Sequence, residues 1–251
     1  MSEKEVPDGL AEILPPGWKP ATSPLVDYLY SLRIGGTKGK SRVRRYHLLY
    51  SDSRRVARSM DLEQVMRALE SDLQITIALN AKNRLFVHAG VVGWRNQAIL
   101  IPGRTFSGKS TLVEALVRAG ATYYSDEFAV LDSKGRVHPY PRPLSLREND
   151  ARARRMVAED IGGTLGRRSL PVGLVVVSEY KEGFAWRPRM LSPAQGMLAL
   201  LANTVVARLQ PEFALSTLKR AIDSVPVLKG SRGEADQAAT TILSHLESRA
   251  A

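Results

Sequence analysis

The chain contains no cysteine. Disulfides, thiolate metal sites and a cysteine nucleophile are therefore excluded together. Long hydrophobic runs are also missing. No stretch approaches the about 18 uninterrupted apolar residues of a membrane-spanning helix, and the opening Met1-Ser2-Glu3-Lys4-Glu5 leads into no apolar segment of the kind a secretion signal needs. These absences predict a soluble, cytoplasmic protein that does not enter a membrane. Acidic residues are in short supply, 25 Asp and Glu against 36 Lys and Arg, which leaves a formal charge of +11. Such a surplus attracts something anionic: nucleotide phosphates, an acidic protein or peptide, nucleic acid or a membrane surface.

What is present is the composition of an ordinary globule, 44% hydrophobic and 24% charged over 251 residues, long enough for one to two domains. No internal repeat or inter-domain linker stands out. Residues 1–20, with Pro7, Gly9, Pro15, Pro16, Gly17 and Pro20, read as a flexible lead-in. Residues 21–83 read as strands and a helix packed on the core. One strand is expected over Leu25 to Ile34, broken by Gly35-Gly36, and another over Val43 to Leu49. An amphipathic helix is expected from Leu62, Val65, Met66, Leu69, Leu73 and Ile77. Between Arg33 and Arg58 nine Lys and Arg residues face one acid, Asp52. That run is either a solvated face or mobile loop or, on the sharper reading, a docking surface for an anionic partner. With only Tyr46 and Tyr50 interleaved, it gives little support to base stacking and makes nucleic acid an unlikely partner.

One stretch organises the rest. Gly103-Arg104-Thr105-Phe106-Ser107-Gly108-Lys109-Ser110-Thr111 fits G-x-x-x-x-G-K-[ST], the Walker A pattern, without a mismatch. The apolar run Ala98 to Ile101 precedes it as a strand, and Leu112, Val113, Leu116 and Val117 follow at helical spacing. Glycines let such a loop wrap with its N–H groups inward, and the helix start adds partial positive charge where phosphate oxygens sit. Residues 103–111 are thus the candidate nucleotide site, with Lys109 reaching the β- and γ-phosphates of ATP and Ser110 offering its hydroxyl to Mg²⁺. The plain alternative is a glycine turn before a helix.

A phosphate loop alone does not define a reaction, so acids at strand ends matter next. Asp126-Glu127, Asp132 and Glu179 are the candidates. Adjacent Asp126 and Glu127 repel each other unless a cation or donor compensates, which suggests a metal-facing or base role; a solvated turn is the bland reading. His88 is the one histidine inside an apolar strand-like run, Arg84 to Trp94. Further on, the basic segment Arg142 to Arg168 reads as a lid, a substrate-facing loop or a plain surface insertion. Val172 to Val177 reads as a central strand. Ser192-Pro193 opens a helix through Met197, Leu198, Leu201, Val205 and Val206 that is expected to be buried.

This layout resembles the catalytic domain of HPr kinase/phosphorylase and its small kinase relatives, whose fold is similar to that of phosphoenolpyruvate carboxykinase. His88 stands 21 residues before Lys109 and Asp126 stands 17 after it, with Gly120 between, as in that family; the likeness covers mainly residues 84–132. It implies an α/β fold with a mixed sheet and flanking helices, and a catalytic domain over residues 84–251. It further implies Asp126 as general base, His88 as the group that holds or polarises it, and Glu127 near the metal or the phosphate loop. The expected activity is transfer of the γ-phosphoryl of ATP, with Mg²⁺, to a serine-type hydroxyl. The acceptor would be a protein or peptide, such as a ribosomally made lasso peptide, and the enzyme could be a homo-oligomer. Glu127 stands where the family has a second aspartate, Ala89 where it has a glycine, and no Arg-Gly-Leu-Gly-Ile-like segment is present. Phosphorylase activity, HPr as substrate and hexamers are therefore not carried over. The alternative function is a catalytically silent nucleotide-binding regulator that docks an acidic partner.

Overall fold

The computed structural model describes residues 10–35, 45–103, 107–148 and 152–248, with the backbone alone at 11, 145–148 and 152–154. The chain divides into two compact units, Met1–Asn80 and Ala81–Ala251.

The first unit holds α1 (Leu10–Ile13), β1 (Tyr30–Arg33), β2 (His47–Ser51), β3 (Arg54–Ser59) and α2 (Leu62–Asn80). The strands form one antiparallel sheet in the order β1-β2-β3. Strand alternation gives this sheet two unlike faces. Leu32, Leu49 and Ala57 pair across it and pack with Val65, Leu69 and Ile13. One residue along, Arg33, Leu48 and Arg58 form the neighbouring row, which points the other way. The helix starts where Asp61 accepts a hydrogen bond from the Glu63 N–H at 2.9 Å, satisfying one of the donors a helix start leaves open.

Two expectations change here. The first strand covers only Tyr30–Arg33, and Leu25, Val26 and Leu29 are exposed. Its partner β2 ends at Ser51, where Asp52 turns and exchanges hydrogen bonds with the Leu29 backbone, so no strand remains for Leu25 to pair with. The basic run, left open between a solvated face, a mobile loop and a docking surface, contains strand β3, which rules out a loop throughout; Arg54, Arg55 and Arg58 on it are exposed. Val43 lies outside the described residues, as do residues 1–9 of the expected lead-in; the described part, residues 10–20, includes α1, whose Ile13 is buried.

The second unit begins with β4 (Arg84–Trp94) and β5 (Gln97–Pro102), followed by α3 (Lys109–Arg118), β6 (Thr122–Ser125), β7 (Phe128–Asp132) and β8 (Val137–His138). The hairpin β9 (Leu144–Glu148) and β10 (Arg152–Met156) follows, then β11 (Val172–Tyr180), β12 (Arg189–Met190), α4 (Pro193–Leu201), α5 (Pro211–Ala221), β13 (Val227–Arg232) and α6 (Ala235–Glu247). Among the described residues an eight-stranded mixed sheet runs β12-β13-β11-β5-β4-β7-β8, with β6 also on β4. Strands β5, β11 and β13 are parallel; β4 is antiparallel to β5, β6 and β7. Helices α3 and α6 bury Leu112, Leu116, Ile242 and Leu243 against Ile99, Ile101, Leu174 and Val176 of the central strands. The coarse class, α/β with a mixed sheet flanked by helices, is the one expected.

Strand β4 does most to place the site. It meets β5 through a two-residue turn, Arg95-Asn96, both at positive φ, as a tight hairpin on a twisted sheet requires. Along its other edge it pairs first with β7, then with β6. Gly90 lies under α3, where a Cβ would come within 2.5 Å of Val113 Cγ2. The stretch after α4 closes the remaining edge of β4: the His88 N–H donates to Asn203 O at 2.7 Å and the Val205 N–H to Phe86 O at 3.0 Å. This corrects the expected buried helix. Ser192 caps α4 and Gln195 reciprocates, but the helix ends at Leu201, Leu198 is 64% exposed, and Val205 serves the edge of β4 instead. The segment read as a lid is in part the β9–β10 hairpin, and Arg142 at its start is buried; residues 149–151 lie outside the described residues.

Candidate functional site

Three parallel strands, β5, β11 and β13, end on the same side of the sheet, and the loop from Gly103 to Gly108 leaves the end of β5 to start α3. The carboxyl ends of parallel strands are where open α/β sheets hold ligands. Arg104, Thr105 and Phe106 lie outside the described residues. On either side of them the backbone is tight. A Cβ on Gly103 would meet Ser107 Oγ at 2.6 Å, and Gly108 sits at φ +80° with Arg232 Nη2 2.6 Å from where its Cβ would be. Gly108 is the N-cap of α3 and supplies no side chain to the first helical N–H groups. Those donors carry the positive end of the helix dipole. The Ser107 hydroxyl is buried and has no hydrogen-bond partner among the described residues.

Behind the loop, Lys109 is only 7% exposed. Burial lowers its pKa, while the charges of Glu127 and Asp126 act in the opposite sense. Ser110 donates to Asp126 Oδ2 at 3.1 Å. Thr111 is exposed. Asp126 itself is 4% exposed, and its other oxygen lies 3.1 Å from the Tyr123 hydroxyl, which also reaches Arg142 O at 2.7 Å. Burial first, then the charge and hydrogen bond of Asp126, push the Tyr123 phenol far above its ordinary value. Tyr123 is therefore a permanent donor.

The bend between β6 and β7 separates the two acids. Ser125 Oγ accepts from the N–H groups of Glu127 at 3.2 Å and Phe128 at 3.0 Å, a local turn device. Asp126 enters the buried side with Ser110, whereas Glu127 meets His88, Oε1 to Nε2 at 3.0 Å. The other ring nitrogen, Nδ1, faces the Gly103 carbonyl at 3.0 Å. A carbonyl only accepts, so Nδ1 carries hydrogen and Nε2 is left to share a proton with the carboxylate. Burial raises the Glu127 pKa, but the hydrogen bond and charge of His88, with the charges of Lys109 and Arg142, outweigh it and the net displacement is downward. The ring of His88 is held edge-on against Phe128, centroids 5.6 Å apart.

The structure thus brings His88, Lys109, Ser110, Asp126 and Glu127 into one hydrogen-bonded and electrostatically coupled group, but with a different pairing from the one the resemblance implies. The imidazole bonds Glu127 and the helix hydroxyl bonds Asp126. The other acids belong elsewhere. Asp132 closes the β7–β8 turn, accepting from the Lys134 and Arg136 N–H groups and pairing with His138 at 2.8 Å. Glu179 is exposed and lies 3.6 Å from Lys181.

Two residues of the site carried no signal of their own. Tyr123 is an aromatic in a strand, indistinguishable from core until its hydroxyl is seen on Asp126. Arg232 is 2% exposed, donating to Gly108 O at 2.7 Å and to Gly233 O at 3.0 Å. Burial lowers its pKa, against the charges of Tyr180 and Glu234. Its place at the carboxyl end of a parallel strand is the feature that could have pointed to it.

Among the described residues no group of three or more His, Asp or Glu side chains makes a metal site by itself. A hydroxyl and a carboxylate side by side are nevertheless hard oxygen donors of the kind Mg²⁺ accepts when water and phosphate complete its shell. No protein-family model matches this chain, and no curated protein is significantly similar to it.

Proposed function

We propose that the second unit binds ATP with Mg²⁺ and transfers the γ-phosphoryl group to a serine-type hydroxyl of a protein or peptide. The observation that carries this reading is the meeting of Ser110 and Asp126 beside the buried Lys109, at the start of a helix preceded by a glycine-bounded loop. In this reading the backbone N–H groups of residues 103–111 and Ser107 hold the phosphates, and Lys109 neutralises charge on the transferred group. Ser110 and Asp126 would hold Mg²⁺, which when bound supplies charge neutralisation across the phosphates. Tyr123 fixes the orientation of Asp126 through the latter's second oxygen.

The geometry favours Glu127 with His88 for the proton. Asp126 has both oxygens engaged and is nearly sealed from solvent, whereas the Glu127 side chain is 41% exposed. An acceptor hydroxyl can reach the second acid and not the first. His88 holds that acid through Nε2 and is itself held by Gly103 through Nδ1, so the loop and the proton acceptor are positioned by one ring.

The same burial of Asp126 supports a second reading, a nucleotide-dependent regulator without transfer. Incubation with γ-labelled ATP, Mg²⁺ and a panel of serine-containing peptides separates the two. Label on an acceptor with the wild type and at least about tenfold less with Asp126→Asn is the kinase result. Tight ATP binding with no label on any acceptor is the regulator result, and absence of ATP binding removes both.

A further inference from the structure

The open face of the sheet in the first unit concentrates positive charge, with no ion-pair partner for it among the described residues. Arg33 and Arg58 lie on either side of Leu48 in one cross-strand row, and Arg55 lies opposite Tyr50 in the next. With Arg45 these arginines surround a cavity of about 500 Å³ floored by Tyr46, Leu48 and Tyr50. All four are exposed, and none of them makes an ion pair with a described residue. The neighbouring Arg54, by contrast, is neutralised by Asp72 at 2.8 Å. Like charges gathered on one face repel one another, and a solvated sheet face ordinarily mixes the two signs. Four converging guanidinium groups stand against that pattern, and an anion removes the cost.

We propose that this face binds an acidic, extended polypeptide segment through its Asp and Glu side chains. Two observations choose a peptide over nucleic acid. The guanidinium of Arg58 lies 4.0 Å from the centre of the Tyr46 ring and covers it, and Tyr50 is half-buried; neither ring offers the bare platform on which bases stack. The arginines also have the right spacing. Arg33 and Arg58, two strand spacings apart, are separated by about 10 Å, close to the distance between carboxylates three residues apart on one face of an extended polyproline-II chain, about 9 Å. Each fork matches a carboxylate in two-point geometry. The proposal stands on the first unit alone and holds whether or not the second unit transfers phosphate.

Fluorescence anisotropy on the full chain without nucleotide tests it, using a labelled ten-residue Asp/Glu-rich peptide, its Asn/Gln counterpart and a single-stranded RNA of equal charge. The acidic peptide is expected to bind and its neutral counterpart not to. The triple variant Arg33→Gln/Arg55→Gln/Arg58→Gln is expected to bind it roughly tenfold or more weakly. The control Lys134→Gln/Arg208→Gln/Lys219→Gln, exposed residues of the other unit with the same loss of charge, is expected to stay within about threefold of wild type on the same additive arithmetic. Equal loss in both triple variants would mean diffuse attraction to net charge and overturn the proposal. So would failure of the acidic peptide to bind at low salt, or tighter binding of the RNA lost in the first triple variant alone.

Discussion

The Ser110 hydroxyl donates to Asp126 at 3.1 Å across 16 residues of chain, so the start of α3 and the end of β6 are joined where the positive end of the helix meets a buried carboxylate. If the pair holds Mg²⁺, Ser110→Ala and Asp126→Asn each lower kcat/KM for phosphoryl transfer by about 10- to 100-fold. Ser110→Ala is recovered in part by raising Mg²⁺. A Mg²⁺ titration of initial rates checks this, and an unchanged Mg²⁺ requirement in both variants would count against the assignment.

His88 and Glu127 should behave as one device. Their 3.0 Å contact predicts that His88→Gln and Glu127→Gln each reduce kcat by about 100-fold and that the double variant is no worse than the poorer single one. Measured kcat values that multiply through the cycle would show the two acting independently.

Gly108 and Arg232 share a space that admits no methyl group. Gly108→Ala requires a left-handed backbone from alanine, a cost of about 1–2 kcal/mol, and drives a Cβ to 2.6 Å from Arg232 Nη2. Arg232→Leu strips a donor from Gly108 O, which keeps the Leu112 N–H, and from Gly233 O, about 1–3 kcal/mol for the buried hydrogen bonds lost. Both are expected to lower the urea midpoint, and Gly108→Ala also to weaken nucleotide binding.

Acid sensitivity is expected at the β7–β8 turn. Burial raises the Asp132 pKa, but the His138 hydrogen bond and the Arg136 and Lys134 N–H groups outweigh it, and the folded value lies below the ordinary one. The stability this supplies is therefore complete above the unfolded value of about 4 and is lost as pH falls through the lower folded value. Asp132→Asn should remove about 1–3 kcal/mol at neutral pH and remove part of the acid-limb slope. Denaturation midpoints of both proteins between pH 2 and pH 7 test this.

Much of the frame is legible in the residues. The three- and four-residue spacing from Leu62 to Ile77 gives α2, the glycine pattern between two apolar runs marks the β5–α3 loop, and Ser192-Pro193 marks the start of α4. The partners within the site are less legible, for a physical reason. Whether His88 meets Asp126 or its neighbour depends on a bend made by the Ser125 side chain and on a register set by β4, and neither is a property of the acids themselves. Strand β3 was hidden because a bulge sets Arg55 and Arg58 three residues apart on the face that holds no core, while Arg54 turns to Asp72, so no two-residue alternation shows in the sequence. The short β1 reflects a partner that runs out at Ser51.

The bond from Arg232 to the Gly108 carbonyl spans 124 residues, and that separation sets an order of maturation. A chain emerging from the ribosome exposes its glycine loop long before the strand carrying this arginine has been made. The carbonyl of the αL Gly108 then has the Leu112 N–H as its donor and lacks the guanidinium. The loop is thus completed late, by the last of the described strands, and a chain stopped short of residue 232 would carry the motif without the clasp.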